Sequence, residues 1–178
     1  ALIDELHSAL DPKAYRKAVA LLAESEFIDI FGVENSLTPA MDLFTKLGYL
    51  GLTCRLNTDA YLQQIGAGHL PHGAVAVAFS HSGSSADTVK ALRLAKSHGA
   101  KTIAITNAIG APLASWADVT LLTGRDSHTI YGNAIFSRVA DTALVDMLYM
   151  GVILSDYGRF STALDESGRM IRDRVFEN

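Results

Sequence analysis

Apolar residues recur along the chain in two patterns that alternate. Short runs that are almost wholly apolar, such as AVAVAF at 74–79, are typical of strands buried on both faces of a parallel sheet. Such runs occur at 27–31, 52–56, 74–79, 101–106 and 119–122, the one at 52–56 being weaker. Apolar positions at helical spacing predict helices at 12–24, 36–47, 58–65, 84–98 and about 133–154, followed by a charged amphipathic helix.

Gly and Pro residues mark the ends of these segments. Asp11-Pro12 is a typical helix start, and Gly48 and Gly99 are placed to end helices. Strands that alternate with helices predict a doubly wound α/β sandwich, in which a parallel sheet carries helices on both faces. Such sheets bind ligands at the carboxyl ends of their strands, where the strand order reverses. The loops that lead from strand to helix are therefore the places to look for a site.

Composition limits the classes of protein to consider. With 178 residues, 49% of them apolar, we expect residues 1–178 to form a single domain. Fifteen basic and nineteen acidic residues give a net charge of −4, which argues against nucleic-acid binding by this chain alone. The single cysteine, Cys54, favours a reducing, cytoplasmic setting. We expect no signal peptide and no membrane span, since the longest apolar stretch, 140–154, is shorter than the roughly 20 residues that a span needs.

The loop after the third predicted strand, SHSGSSADT at 80–88, is rich in hydrogen-bond donors. It places five hydroxyls and the imidazole of His81 between a buried strand and the start of a helix. The first N–H groups of a helix lack partners and attract anions, and Gly83 would let the backbone approach a ligand closely. The pattern predicts an anion site.

Helix capping is the alternative explanation for this loop. Ser84 with Asp87 three residues later fits a capping box, but capping leaves Ser80, His81 and Ser82 unexplained. The loop lacks the lysine of a phosphate-binding P-loop, and the chain has neither a dinucleotide fingerprint nor the nucleophile elbow of hydrolases. An anion site without a nucleotide signature indicates a small phosphorylated metabolite.

At this point the sequence resembles a family. The segments SHSGSSADT, TIAITN and APLASWADV are similar to the SIS (sugar isomerase) domain, over residues 14–154 or so. Together with FGVENSLTPAMDLFTKLGYLG and SRVADTALVDMLYMGVIL, they most resemble the effector domain of RpiR-type transcription regulators. In those proteins a helix-turn-helix domain precedes an SIS domain that senses a sugar phosphate.

The resemblance implies a fold, ligands and partners. We expect a flavodoxin-like sheet of five parallel strands, a phosphorylated sugar or amino sugar as ligand, and neither a metal nor a cofactor. We expect a homo-oligomer, a dimer or tetramer, in which the apolar surface of the helix at 133–154 serves the core, the subunit interface or both. DNA would be bound only through a domain that we expect to be absent from this chain.

The resemblance also implies site residues. The phosphate loop matches Ser80, His81, Ser82, Gly83 and Ser85, and Ser36 matches a serine that closes the first strand-to-helix loop. The remaining candidates would face the sugar: His81 again, Asn35, Asn107, Asp126, Ser127 and His128.

Two departures from the family pattern bear on function. The usual Gly-x-Gly-x-Ser of the first loop reads here GVENS at 32–36, and the carboxylate of Glu34 would repel a phosphate unless it points away or binds a sugar hydroxyl. Many SIS isomerases use a glutamate base, and this chain has no glutamate between Glu34 and Glu166. Asp126 and His128 are the remaining catalytic candidates, so we favour a sensor and keep a sugar-phosphate aldose–ketose isomerase as the alternative.

Overall fold

Five parallel strands form one sheet in a computed structural model that describes residues 2–125 and 137–174. The strands are β1 (Ile28–Phe31), β2 (Cys54–Leu56), β3 (Val75–Phe79), β4 (Lys101–Thr106) and β5 (Val119–Leu122). Their order is β2-β1-β3-β4-β5, so the direction in which strands are added reverses between β1 and β3. This is the flavodoxin-like order, and it confirms the predicted fold class.

Helices lie before, between and after the strands. They are α1 (Leu2–Ala9), α2 (Pro12–Glu24), α3 (Leu37–Tyr49), α4 (Ala60–Ala67), α5 (Ala86–Ser97), α6 (Val139–Ser155) and α7 (Tyr157–Met170). Short 3-10 turns occur at Glu34–Ser36, Pro112–Trp116 and Arg172–Arg174. Among the described residues, none of these helices has the length and apolarity needed to cross a membrane.

The two faces of the sheet differ in the size of the side chains that they bury. Along β3, Val75, Val77 and Phe79 point to the face covered by α1, α2, α3, α6 and α7. Ala76 and Ala78 point to the opposite face, which is covered by α4 and α5. Since side chains alternate along a strand, these small residues let α4 and α5 approach the sheet closely.

The predicted strands agree with the structure to within two residues at each end, but several helices begin elsewhere. The helix α1 was not predicted, because it is short and buries a single residue, Leu6. The helix predicted from residue 36 begins at Leu37, after the 3-10 turn, and the one predicted from residue 84 begins at Ala86. The predicted start of the long helix near residue 133 lies outside the described residues, and α6 is described from Val139.

A buried ion pair fixes the edge strand β2 to β1. The carboxylate of Asp29, 1% exposed, receives two hydrogen bonds from Arg55, at 2.6 Å from Nη2 and 3.0 Å from Nε. Burial raises the pKa of Asp29, although the guanidinium opposes this shift. A Cβ at Gly66 would lie 2.6 Å from the same Nη2, so α4 packs on the guanidinium. The pair thus holds β1, β2 and α4 together.

We predict that Gly151→Ala destabilises the protein where α6 meets α2. A Cβ at Gly151 would lie 2.4 Å from Tyr15 Oη, the hydroxyl that donates to the Met147 carbonyl at 2.6 Å. Overpacking of this kind costs roughly 1–3 kcal/mol, which chemical denaturation would measure. The control is Gly168→Ala in α7, where nothing lies within 4 Å of the new Cβ, and it should stabilise by about 0.5–1 kcal/mol. Equal effects of the two variants would contradict the predicted contact.

The thiol of Cys54 is predicted to react slowly in the folded protein. Burial within β2 raises its pKa to about 12, so very little of the reactive thiolate exists near pH 8. Labelling by a disulfide reagent at that pH should be slower than in denaturant by on the order of a hundredfold or more. Because Cys54 is the one cysteine of the chain, the measured labelling rate belongs to this thiol alone. Similar rates in the folded and denatured protein would show that the thiol is accessible.

Candidate functional site

Two loops begin side by side where the strand order reverses. Phe31 of β1 pairs with Ala78 of β3, so the loop at 32–36 and the loop at 80–85 leave adjacent strands at the same edge of the sheet. The helices that follow them, α3 and α5, lie on opposite faces, which separates the loops and opens a crevice between them. Asn107 follows β4 at the same edge. The structure thus places Asn35, Ser36, the 80–85 loop and Asn107 around one crevice.

A tight turn at Gly83 shapes the loop at 80–85. The Gly83 N–H donates to the Ser80 carbonyl at 3.0 Å, and the Gly83 carbonyl accepts from the Leu113 N–H at 2.9 Å. Gly83 has a φ of +62°, and a Cβ there would lie 2.4 Å from the Cβ of Ala111 and 2.9 Å from Thr106 Oγ1. A residue without a side chain is required both by the backbone conformation and by this close approach.

The end of β4 holds His81 in place. The His81 carbonyl accepts from the Asn107 N–H at 3.0 Å and from the Thr106 hydroxyl at 3.1 Å. The Asn107 side-chain amide lies 3.4 Å from the imidazole Nε2. A Cβ at Gly124 would lie 2.0 Å from Asn107 Oδ1, so the chain after β5 packs directly on this amide. Residues after three neighbouring strands therefore position one imidazole.

Three serine hydroxyls of this loop, those of Ser80, Ser82 and Ser85, donate to no protein group within the described residues, whereas the Ser84 hydroxyl donates to the Ser82 carbonyl at 3.3 Å. Ser80 is 4% exposed, and its hydroxyl makes no hydrogen bond within the described part of the chain. The Ser82 hydroxyl accepts from the Ser84 N–H at 3.2 Å, and the Ser85 hydroxyl accepts from the Thr88 hydroxyl at 3.3 Å. Acting as acceptors leaves their own protons available to an anion.

The capping explanation of this loop is wrong in its details. Ser85, not Ser84, is the N-cap residue of α5, and its side chain makes no capping hydrogen bond. Asp87 does not reach back to complete a capping box, because its carboxylate accepts from Gln64 Nε2 at 3.0 Å. The first α-helical bond is that of Val89 N–H to Ser85 O, so the three preceding N–H groups have no acceptor within the helix. They add donors to the same end of the crevice.

Charge in the two loops is sparse and negative. The segments 32–36 and 80–85 contain no Lys or Arg, one histidine, and the carboxylate of Glu34. An anion bound here would be held by neutral donors and the start of α5. Glu34 is exposed and has a φ of +52°, so the position where the family pattern has glycine keeps a glycine-like conformation here.

A buried glutamine, which sequence reasoning missed, anchors the first loop. Gln63 in α4 is 2% exposed; its Oε1 accepts from the Gly32 N–H at 3.2 Å. Its Nε2 donates to the carbonyls of Gly32 and Asn57, each at 2.7 Å. One amide thus joins the chain after β1 to the chain after β2. The available signal was the pair Gln63-Gln64 in a short helix whose other residues are mostly apolar.

Asp141 was also missed as a residue of this edge. It lies in the first turn of α6, is 5% exposed, and has a pKa raised by burial, opposed by a hydrogen bond from Thr123 and by Arg138. The helix dipole favours a carboxylate at the start of a helix. The hydrogen bond from Thr123, which directly follows β5, joins Asp141 and thus α6 to the end of that strand. The remaining predicted candidates, Asp126, Ser127 and His128, lie outside the described residues.

Comparisons with known proteins show which family this chain is similar to. The sequence model of the SIS domain family matches residues 21–151. An uncharacterized HTH-type transcriptional regulator of Caldanaerobacter subterraneus is 30% identical over 176 residues, which cover 99% of this chain and 62% of that protein. The HTH-type transcriptional regulator HexR of Escherichia coli is 28% identical over 177 residues, or 99% of this chain and 61% of that protein. The chain thus spans about three fifths of the length of these relatives.

A solved structure shares the fold closely. The Vibrio vulnificus NanR protein, described as complexed with ManNAc-6P, superposes with a TM-score of 0.91 at 24% identity. The match covers 98% of this chain and 66% of that one. At this level of identity the likeness establishes the architecture.

We predict that Gly83→Ala destabilises the protein more than a glycine substitution at an open left-handed position. The control, Gly110→Ala, has a φ of +70° and nothing within 4 Å of the added Cβ, so only the backbone conformation, roughly 1–2 kcal/mol, opposes it. At Gly83 the contacts with Ala111 and Thr106 add roughly 1–3 kcal/mol. Free energies of unfolding in denaturant would measure the difference, and its absence would show that the turn is loosely packed.

Proposed function

We propose that this chain, which belongs to the SIS domain family, is the phosphosugar-sensing domain of an RpiR-type transcription regulator. In this proposal a phosphorylated sugar or amino sugar binds in the crevice between the loops at 32–36 and 80–85. Ser80, Ser82 and Ser85 hold the phosphate, and Ser36 lies opposite.

One observation carries the proposal: the hydroxyls of Ser80, Ser82 and Ser85 donate to no protein group within the described residues and lie beside the start of α5. Ser85 is the N-cap residue but accepts no hydrogen bond from the start of α5, so the first N–H groups of the helix have no side-chain cap. The Ser80 hydroxyl makes no hydrogen bond within the described residues. Several donors that converge on one point suit the oxygens of a phosphate, because each oxygen accepts more than one hydrogen bond.

The sugar would be recognised by side chains that lie beyond the phosphate, those of His81 and Asn35. His81 is positioned by Asn107 and Thr106, so its imidazole is presented in a defined orientation and not as a mobile side chain. Asn35 is exposed in the opposite loop. Imidazole and amide groups can both donate to and accept from sugar hydroxyls, which suits recognition of a polyol.

The relatives support the ligand class and the regulatory setting. Both curated relatives are described as HTH-type transcriptional regulators, and the NanR structure is described with a sugar phosphate. The net charge of −4 suits a domain that leaves DNA binding to another part of a regulator. We place that regulator in the cytoplasm.

Assembly into a homo-oligomer remains part of the proposal. Among the apolar residues of α6, Leu144, Leu148 and Ile153 are buried in the core, whereas Val139 and Met147 are exposed. Core packing thus explains the three buried residues, and the two exposed ones are available to a second copy.

Ser82→Ala should weaken sugar-phosphate binding by roughly 1–2 kcal/mol, the contribution of one charge-assisted hydrogen bond. A thermal-shift screen of hexose, pentose, amino-sugar and sugar-acid phosphates would identify a ligand, and calorimetry would then compare the two proteins. The control is Ser97→Ala, at the opposite end of α5, where the hydroxyl donates to Leu94 O.

Equal affinity of wild type and Ser82→Ala would overturn the phosphate assignment. Exchange of solvent protons into a bound aldose or ketose phosphate would instead favour the isomerase alternative.

A further inference from the structure

Glu34 occupies an exposed place at the start of the 3-10 turn Glu34–Ser36, in the loop that follows β1. Its carboxylate makes no hydrogen bond or ion pair within the described residues, so no contact with the protein explains it. The loop is nevertheless fixed close by, because Gln63 holds both the N–H and the carbonyl of Gly32. The carboxylate is therefore carried on an anchored backbone at the edge of the crevice.

The backbone of Glu34 is strained. Its φ of +52° is the one positive φ of a non-glycine residue in the described chain; the other positive φ angles belong to glycines. A side chain in this region clashes with its own backbone, so glutamate is less favourable here than glycine. Strain of this kind persists at sites where the side chain has a use.

The charges around the crevice indicate which ligand groups the Glu34 carboxylate could bind or repel. Neither of the two loops contributes a Lys or Arg, so nothing in them neutralises the carboxylate. A ligand held by its phosphate in the 80–85 loop would bring its sugar toward the 32–36 loop on the neighbouring strand. A second anionic group on that sugar would be repelled by Glu34, whereas an ammonium, an amide N–H or a hydroxyl could donate to it.

We propose that Glu34 is the specificity-determining residue of this site. It favours phosphosugars that offer it a hydrogen-bond donor, most strongly an ammonium, and it disfavours sugar-acid phosphates. This inference rests on the proposed phosphosugar site and adds the class of sugar that the site accepts.

The test compares three probes with four proteins by calorimetry. The probes are glucosamine 6-phosphate, glucose 6-phosphate and 6-phosphogluconate, which carry an ammonium, hydroxyls only, and a carboxylate. The proteins are wild type, Glu34→Gln, Glu34→Gly and the control Glu26→Gln, which removes an exposed carboxylate just before β1, at the opposite edge of the sheet. Ratios of affinity within one protein cancel effects that are common to all three probes.

In Glu34→Gln we expect the affinity for 6-phosphogluconate, relative to glucose 6-phosphate, to rise roughly tenfold. The relative affinity for glucosamine 6-phosphate should fall by roughly fivefold. Both changes should shrink as the salt concentration is raised, since they are electrostatic, and Glu26→Gln should show neither. Glu34→Gly should give the same change in ratios and a melting temperature higher by roughly 2–4 °C, because the strain is released.

Two failures can be told apart. If wild type binds none of the three probes and no other sugar phosphate, the proposed function is wrong and this inference falls with it. If the probes bind but the ratios are unchanged in Glu34→Gln, the phosphosugar site stands and the role of Glu34 is overturned.

Discussion

Everything at the candidate site depends on where the strand order reverses. β1 and β3 are neighbours in the sheet, yet the helices that follow them leave toward opposite faces, so neither α3 nor α5 covers the space between their carboxyl ends. A crevice at this point is a consequence of topology alone. The sequence adds the chemistry of the two loops that border the crevice. The loop at 80–85 supplies hydroxyls and N–H groups, and the loop at 32–36 supplies a serine, an asparagine and a carboxylate.

A crevice binds well only if its donors are already in place, and buried amides provide that support. Gln63 fixes the loop after β1 through two hydrogen bonds to Gly32 and ties it to Asn57 through a third, and Asn107 contacts the loop after β3 at His81. Both side chains are less than a tenth exposed. The Gln63 amide is satisfied by particular backbone groups, so it selects a single conformation of the loop after β1. In the proposed sensor the two loops would therefore need little ordering when a ligand arrives, which lowers the entropic cost of binding.

Much of this architecture could be predicted from the sequence, because buried parallel strands leave a strong signal. AVAVAF is β3 in the structure but for its first residue, and the Ser-rich loop after it is at the predicted edge. The helix starts were harder. Ser84 and Asp87 have the spacing of a capping box, but Gln64 binds Asp87 from α4, a contact between residues far apart in sequence that no local pattern contains. Gln63 and Asp141 were missed for the same reason, since their partners come from other elements.

A site made of neutral donors has consequences for how a sensor would work. Hydrogen bonds from hydroxyls and backbone N–H groups to an anion are weaker than those from Arg or Lys, which combine a donor with a full charge. Phosphate bound by the loop at 80–85 would therefore be released readily, and occupancy would follow the concentration of the metabolite. The carboxylate of Glu34 strengthens this tendency, because it adds repulsion toward any anion that does not also offer it a donor. In the proposed sensor, this arrangement limits the affinity for phosphate itself. The site therefore distinguishes its ligands mainly by the sugar, which is the part that differs from one metabolite to another.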